Sequence, residues 1–384
     1  MQDYLNRKHI LSGVGLLAGI ALLLGGCAPA ATPVPPTQAP PPATQAPAPT
    51  TAATSAPTAA PTTAAAVQPD LAFFNGKTVT YIVATSTGGG YDTYARTIAP
   101  YVQKYLPGST VIVKNVPGAG HIIGANEDYA AKPDGLTIAT FNTALIYSQI
   151  VGAQGIQFDL SKFTWIAKLS SDNRVLLVGA KTPFQTFDDA VKASQTSPIV
   201  LSSAGVSSAS NIDALLLQQA TGLKVKMIAG YTGNDSELAI LRGEVQGEVG
   251  SYSSLASYVT SGDGRILLQI GMKKDPALPN VPLLSDIVTP DKKAIADLIL
   301  TDASLGRLVA APPGVPDARR QALVQAFQKA TADPDFLAAA KKEKIPIDPA
   351  FGDDVGNLIK SALNQSPADL AILKSILGPA LSGK

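Results

Sequence analysis

Residues 84–96 read Ala84-Thr-Ser-Thr-Gly-Gly-Gly-Tyr-Asp-Thr-Tyr-Ala-Arg96. This stretch joins an apolar strand-like run, TVTYIVA, to a helix-like run, DTYARTIAPYVQKYL. A bare strand-to-helix turn leaves N–H groups unpaired at the helix start, and together with the helix dipole they attract an anion. Glycine lets a ligand approach that backbone closely. No Lys follows the glycines, so the turn is not a nucleotide-binding phosphate loop. Asp92 reads as the N-cap of the helix, with direct ligand contact as the competing role.

The same punctuation recurs along the chain. Thr110–Asn115 and Leu136–Phe141 read as the next strands, separated by a helix from about His121 to Ala131. A second series starts near Arg174: RVLLVGA, TFDDAVKAS, PIVLSSAG, SASNIDALLLQQATG, VKMIAG, NDSELAILRG and EVQGEVGSY. Beyond Arg265 one more strand, RILLQIGM, precedes a mostly helical tail, in which Pro316 sits in the first turn of PDARRQALVQAFQKA. Apolar runs of five to seven residues between longer helices argue for parallel sheets covered on both faces. Ligands of such folds bind at the carboxyl ends of the strands, in a cleft between domains.

The amino-terminal residues read differently. Arg7 and Lys8 precede an apolar run from Ile10 to Leu24, followed by Gly25, Gly26 and Cys27, the only cysteine of the chain. This resembles a bacterial lipoprotein signal, which implies cleavage before Cys27 and lipid on its sulfur. From Ala28 to Pro69 no residue is charged and 12 of 42 are proline. Such a segment buries too little apolar surface to offset its ordering entropy and reads as a disordered tether, with a reach on the order of 100 Å at ~3 Å per residue. The expected organisation is a signal at 1–27, a tether at 28–70, a first domain at 71–175, a second at 176–248, and a return to the first at 249–384.

Without residues 1–27 the chain has 28 basic and 28 acidic residues, so nothing points to nucleic acid. With no thiol after Cys27, disulfides and thiolate metal sites are excluded. Of the two histidines, His9 lies in the signal, leaving His121 alone in the body. A histidine-rich metal site cannot be built, and no pair of acids stands out for hydrolysis. The expectation is a protein without metal or cofactor, and not an enzyme. His121 reads as a surface or helix-end residue.

Further candidates follow the strand ends. Gly118-Ala-Gly-His-Ile-Ile-Gly124 imitates a dinucleotide fingerprint, but its spacing is one residue too long and no acid ends the next strand. Leu201-Ser-Ser-Ala-Gly-Val-Ser-Ser-Ala-Ser210 offers hydroxyls and N–H groups that can wrap an oxygen-rich ligand. Gly230-Tyr231-Thr232-Gly233 and Ser251-Tyr252-Ser253 repeat the arrangement. The candidate ligand residues are Ser86, Thr87, Gly88, Gly89, Gly90, Asp92, Asn142, Ser203, Gly205, Ser207, Ser208, Tyr231, Thr232 and Ser251. No Arg or Lys adjoins these loops in sequence.

Several stretches resemble the solute-binding proteins of tripartite tricarboxylate transporters, often called Bug proteins. They are GGGYDTYAR, VIVKNVPGAGHIIGANEDYAAKPDGLTIAT, LSSAGVSSASNIDALL, AGYTGNDSELAILRGEVQGEVG, RILLQIGMKKDPALPNVPLLSDI and VAAPPGVPDARRQAL. The likeness spans nearly all of residues 72–345. It implies an α/β periplasmic-binding-protein fold, type II-like, with two mixed sheets flanked by helices and an interdomain cleft. It also implies a small carboxylate held by backbone amides and hydroxyls, with Thr87, Gly88, Gly89 and Asp92 in one jaw. Ser203, Gly205, Ser207 and Ser208 would form the other, with Tyr231 and Thr232 beside them. Two departures stand out: Thr85-Ser86-Thr87 where the family has aromatic and proline residues, and His121 in place of a glycine.

The expectation is a monomeric receptor on the outer face of a bacterial membrane, in the periplasm or at the cell surface. It is anchored through Cys27, takes a small carboxylate and serves the membrane subunits of a transporter. The alternatives are a sensor signalling to a membrane kinase, and an exported hydrolase using Ser207 or Ser208 with His121.

Overall fold

A computed structural model describes residues 67–171 and 173–381. The signal segment, Cys27 and nearly all of the proline-rich stretch lie outside the described residues.

The first series of alternations builds one sheet. Its strands are β1 (Thr78–Val83), β2 (Thr110–Asn115), β3 (Thr137–Thr140) and β4 (Thr164–Lys168). The second series supplies β5 (Arg174–Gly179), β6 (Ile199–Ser203), β7 (Val225–Ala229), β8 (Gly247–Ser251) and β9 (Gly264–Ile270). The chain then returns to the first sheet with β10 (Leu308–Ala311) and β11 (Ala350–Phe351). The sheet orders are β11-β4-β10-β3-β1-β2 and β7-β6-β8-β5-β9.

Both sheets are mixed. β1 runs parallel to β2 and β3, while β10 is antiparallel to β3 and β4, and β11 to β4. In the second sheet β6 is parallel to β7 and β8, but β5 is antiparallel to β8 and β9. Strand–helix alternation foretold the parallel part. The reversed strands are β5, on which the chain enters the second sheet, and β10 and β11, on which it returns to the first, and local periodicity does not record that direction. β9 joins the second sheet beside β5, so this sheet draws strands from Arg174 to Ile270, beyond the 176–248 span expected for the second domain.

Packing follows the apolar runs. β1 buries Val79, Tyr81, Ile82 and Val83, and all six residues of β5 are buried, as strands covered on both faces require. On one face of the first sheet the Gly90–Lys104 and Asp317–Thr331 helices pack together, with Phe327 edge-on to Tyr81 at 6.2 Å. On the other, Phe141, Phe163 and Trp165 form an aromatic cluster. Each such side chain contributes about 1.5–3 kcal/mol of burial. Pro316 is the N-cap of its helix, one residue earlier than the expected first-turn position.

The two lobes meet where the chain crosses between them. Leu169 N–H donates to the Arg307 carbonyl at 2.7 Å, and Arg307 N–H donates to the Ser170 carbonyl at 3.2 Å. Gly306, with φ 56, stands so close that an added Cβ would lie 1.6 Å from the Ser170 oxygen. Gly306→Ala is therefore expected to cost about 2–4 kcal/mol, from strain and a backbone clash together. Urea unfolding reads this as a lower midpoint at unchanged slope; an unmoved midpoint would show that the crossing tolerates a side chain.

Candidate functional site

The glycine turn lies at the carboxyl end of β1 and opens the Gly90–Lys104 helix, with Gly89 at the N-cap. Its composition is explained first by what it touches across the cleft. A Cβ on Gly89 would sit 2.9 Å from Gly233 Cα, and one on Gly90 would meet Ser254 Oγ and the Arg307 guanidinium. Ser86 and Thr232 join hydroxyl to hydroxyl across the same contact. Thr87 is exposed.

Asp92 is not the N-cap. It sits in the first turn with its carboxylate turned back to accept the Gly88 N–H at 3.0 Å. Arg96 Nε donates to it at 2.9 Å and Asn115 Nδ2 at 2.9 Å. Burial would raise the Asp92 carboxyl, but Arg96, the Gly88 N–H and Asn115 outweigh it and hold it below the usual range. The acid thereby takes up the first glycine N–H of the turn, and its charge is answered by Arg96.

A second contact joins the lobes. Gly120, at φ 63, packs on the Ser207–Ser208 backbone, and Gly205 packs on Gly120; a Cβ on either would approach backbone atoms to 2.5–2.6 Å. The glycine run that imitated a dinucleotide fingerprint is thus a lobe contact. Ser208 Oγ caps the Ala209–Thr221 helix and donates to the Gly205 carbonyl at 2.7 Å. Ser203 and Ser207 are buried, and neither hydroxyl finds a partner among the described residues. The Tyr231 hydroxyl is drawn to Glu244 at 3.4 Å, away from the other candidates.

His121 is buried, contrary to the surface expectation, and takes a left-handed conformation (φ 80) at the N-cap of the Ile122–Tyr129 helix. Its Nδ1 accepts the Asn142 N–H at 3.1 Å, and Asn142 Nδ2 donates to the Gly120 carbonyl at 2.9 Å. Its ring lies edge-on to Tyr91, and the Arg307 guanidinium lies 4.2 Å from the centre of that same tyrosine ring.

Arg307 was not singled out from the sequence, and it organises the interior. Its guanidinium donates to Ser251 Oγ and Ser254 Oγ, each at 3.0 Å. With Tyr91, Thr143, Arg174, Ser251, Asp302, Ala303 and Gly306 it lines a cavity between the lobes. The cavity is small: a water centre reaches about 10 Å³ of it, against about 630 Å³ in an open groove lined in part by Gly88, Gly90 and Ser254. That is room for about one water, so a ligand of several heavy atoms enters only with the lobes further apart. Ser251 is the one candidate residue lining the inner cavity. Gly88 and Gly90 line the outer groove, and most of the others form the lobe contacts.

Arg174, at the start of β5, forms an ion pair with Asp213 and donates to the Val249 carbonyl at 3.3 Å. Asp213 and Asp302 adjoin. Burial raises both carboxyls, Asp213 well above the carboxylate range, and Arg174 opposes the rise. The interior therefore carries guanidinium, hydroxyl and carboxylate groups facing one small space.

A family model described as tripartite tricarboxylate transporter family receptor matches residues 94–374. The chain belongs to this family. A UPF0065 protein of Bordetella bronchiseptica is 27% identical to this receptor over 255 residues, covering 66% of this chain and 72% of the relative. Protein BugT of Bordetella pertussis is 22% identical over 232 residues, covering 59% and 70%. Among solved structures, periplasmic binding protein BugD has a TM-score of 0.67 at 21% identity, covering 79% of this chain and 98% of its own. MatC of Rhodopseudomonas palustris with bound malate gives 0.65 at 20%, covering 78% and 99%. A second protein of that organism, solved with adipate, gives 0.65 at 16%, covering 79% and 97%. These structural likenesses establish the receptor's periplasmic-binding-protein fold.

Burial, and secondarily Arg307, push the His121 imidazole down to about 3. An unfolded histidine takes its proton near 6.5, so between about 6.5 and 3 the unfolded chain binds a proton that the folded one refuses. Stability is full above that window and falls as pH drops through it, by up to about 2 kcal/mol at pH 5. His121→Asn tolerates the left-handed backbone and does not titrate, so it should lose less between pH 7.5 and pH 5. Urea melts at the two pH values measure this; equal losses would mean that His121 charges freely in the fold.

Proposed function

We propose that this chain is an exported receptor, held on the outer face of a bacterial membrane by lipid on Cys27. It captures a small organic carboxylate between its lobes and delivers it to the membrane subunits of a tripartite transporter. One observation carries the carboxylate reading. Arg307 and Arg174 line the small interlobe cavity together with Ser251 and Thr143, at the strand ends where ligands of such folds bind. Guanidinium and hydroxyl donors on buried side chains make charge-assisted hydrogen bonds to an anion stronger than they are in solution. Family membership agrees, as do two neighbours of the same fold that were solved with malate and with adipate.

Closure supplies the rest of the reading. The glycine contacts at Gly89–Gly233 and Gly120–Gly205 let the lobes come together backbone to backbone, and the ligand between them favours the closed arrangement that a membrane partner recognises. The hydrolase reading finds no support here: His121 Nδ1 is engaged by Asn142 N–H, and Ser208 Oγ by the Gly205 carbonyl.

A thermal-shift screen of the full chain against mono-, di- and tricarboxylates, amino acids and sugars tests the proposal. A ligand at a hundredfold excess over its Kd stabilises the fold by about 2.7 kcal/mol, a shift of several degrees. Gly89→Val leaves an ordinary backbone (φ −81) but blocks the Gly233 contact. It is expected to weaken binding at least tenfold while the unliganded protein melts normally. A response to sugars alone, or full affinity in Gly89→Val, would contradict the proposal.

A further inference from the structure

Backbone strain gathers at one place in the seam between the lobes. Gly118, Ala119, Gly120 and His121 all stand at positive φ, and Ala119 and His121 are two of the three Cβ-bearing residues that do so among the described residues. Such strain persists where the surrounding structure holds it, and it collects at ligand clamps. The hold here comes from Asn142, whose N–H donates to His121 Nδ1 at 3.1 Å and whose Nδ2 donates to the Gly120 carbonyl at 2.9 Å. A backbone N–H can only donate, so Nδ1 is the bare nitrogen and the proton of the neutral imidazole sits on Nε2. His121 is 5% exposed, and its Nε2 finds no hydrogen-bond partner among the described residues. The ring lies edge-on to Tyr91, centroids 5.1 Å apart. Tyr91 and Thr143, the residue after Asn142, both line the small interlobe cavity with Arg307. On its other side His121 follows Gly120, which packs on Ser207 and Ser208 of the second lobe. The imidazole therefore fills the corner between the cavity wall and that lobe contact, with a donor that no protein group takes up.

We infer that His121 sets the length limit of the site. Its imidazole occupies the space into which a longer acid would extend, and its Nε2–H bonds the ligand oxygen that ends there. The inference rests on the carboxylate reading above and adds to it the residue that decides which size of acid fits. A left-handed position accepts glycine without steric cost, so a histidine kept there, buried and with one nitrogen unspent, is explained by what its ring excludes and what it bonds. Buried side chains pack too tightly to yield to an added methylene, so a ring at the end of a site acts as a stop.

Calorimetric titration of the full chain with straight-chain mono- and dicarboxylates of two to eight carbons tests this, with citrate and homocitrate as a branched pair. In the wild type, affinity is expected to fall about tenfold or more for each methylene past a cutoff length. His121→Gly and His121→Asn both suit the left-handed backbone, so either reports if the other fails to fold. The cutoff is expected to move out by about two carbons in His121→Gly and about one in His121→Asn, following the space vacated. Acids at the wild-type optimum should bind about threefold more weakly in His121→Gly, which lacks the Nε2 donor. If only the branched pair binds, homocitrate against citrate reads the same limit. No cutoff in the wild type, or one affinity change shared by the whole series with the cutoff unmoved in both variants, overturns the inference. His121 would then only hold its loop, and the receptor reading would stand. If the wild type binds none of these acids, the carboxylate reading itself fails and the inference falls with it.

Discussion

The pairing of Leu169 and Ser170 with Arg307 is the constraint on which the rest depends. It lays the outgoing and returning segments of the chain side by side at the lobe boundary, with Gly306 as the residue thin enough to allow it. One consequence is mechanical, since two adjacent segments let the lobes move against each other without breaking either sheet. The other is chemical. The residue that makes both backbone bonds carries the guanidinium that reaches Ser251 and Ser254 on the far lobe and covers the ring of Tyr91. In the proposed function, this one side chain at the crossing serves both closure and the ligand's charge.

Around that point glycine backbones make close contacts between the lobes, beside the Ser86–Thr232 hydroxyl pair. Gly89 against Gly233 and Gly120 against Gly205 are contacts that any Cβ would prop apart. A tripeptide of glycines at a helix start suggests an anion nest. In this fold, however, Asp92 takes the Gly88 N–H, and the remaining glycines serve the fit between lobes. His121 belongs to the same seam, held neutral between Tyr91 and Asn142 where a charged imidazole would face Arg307.

Much of the fold was legible in the sequence. Most strand and helix positions followed from apolar runs and glycine punctuation, although β4 and the returning strands β10 and β11 were not read as strands, and the motifs from Gly88 to Leu323 carried the family likeness. The direction of β5 and β10, and the placement of β9, were not legible, because they depend on which sheet the chain is entering. The site was legible in part. Glycine and serine loops advertise strand ends, yet Arg174, Asp213 and Asp302 come from three elements and Arg307 from the crossing segment, and they meet only through topology. A signal existed: Asp302 falls on the buried face of its helix with Leu298, Ile299 and Leu305, and Asp213 falls between Ile212 and Ala214. Arg307 stands directly before the fully buried strand LVAA. A charge embedded in an apolar stripe marks a site more sharply than a glycine run does.

The most direct test of the central claim is to identify what the protein carries from its own source. Receptor purified without added ligand would be denatured, and the released small molecules weighed by mass spectrometry against protein concentration. The expected result is one small organic acid approaching one equivalent, lost when Arg307 is replaced by Leu. A neutral sugar or an organic cation at that stoichiometry would contradict it.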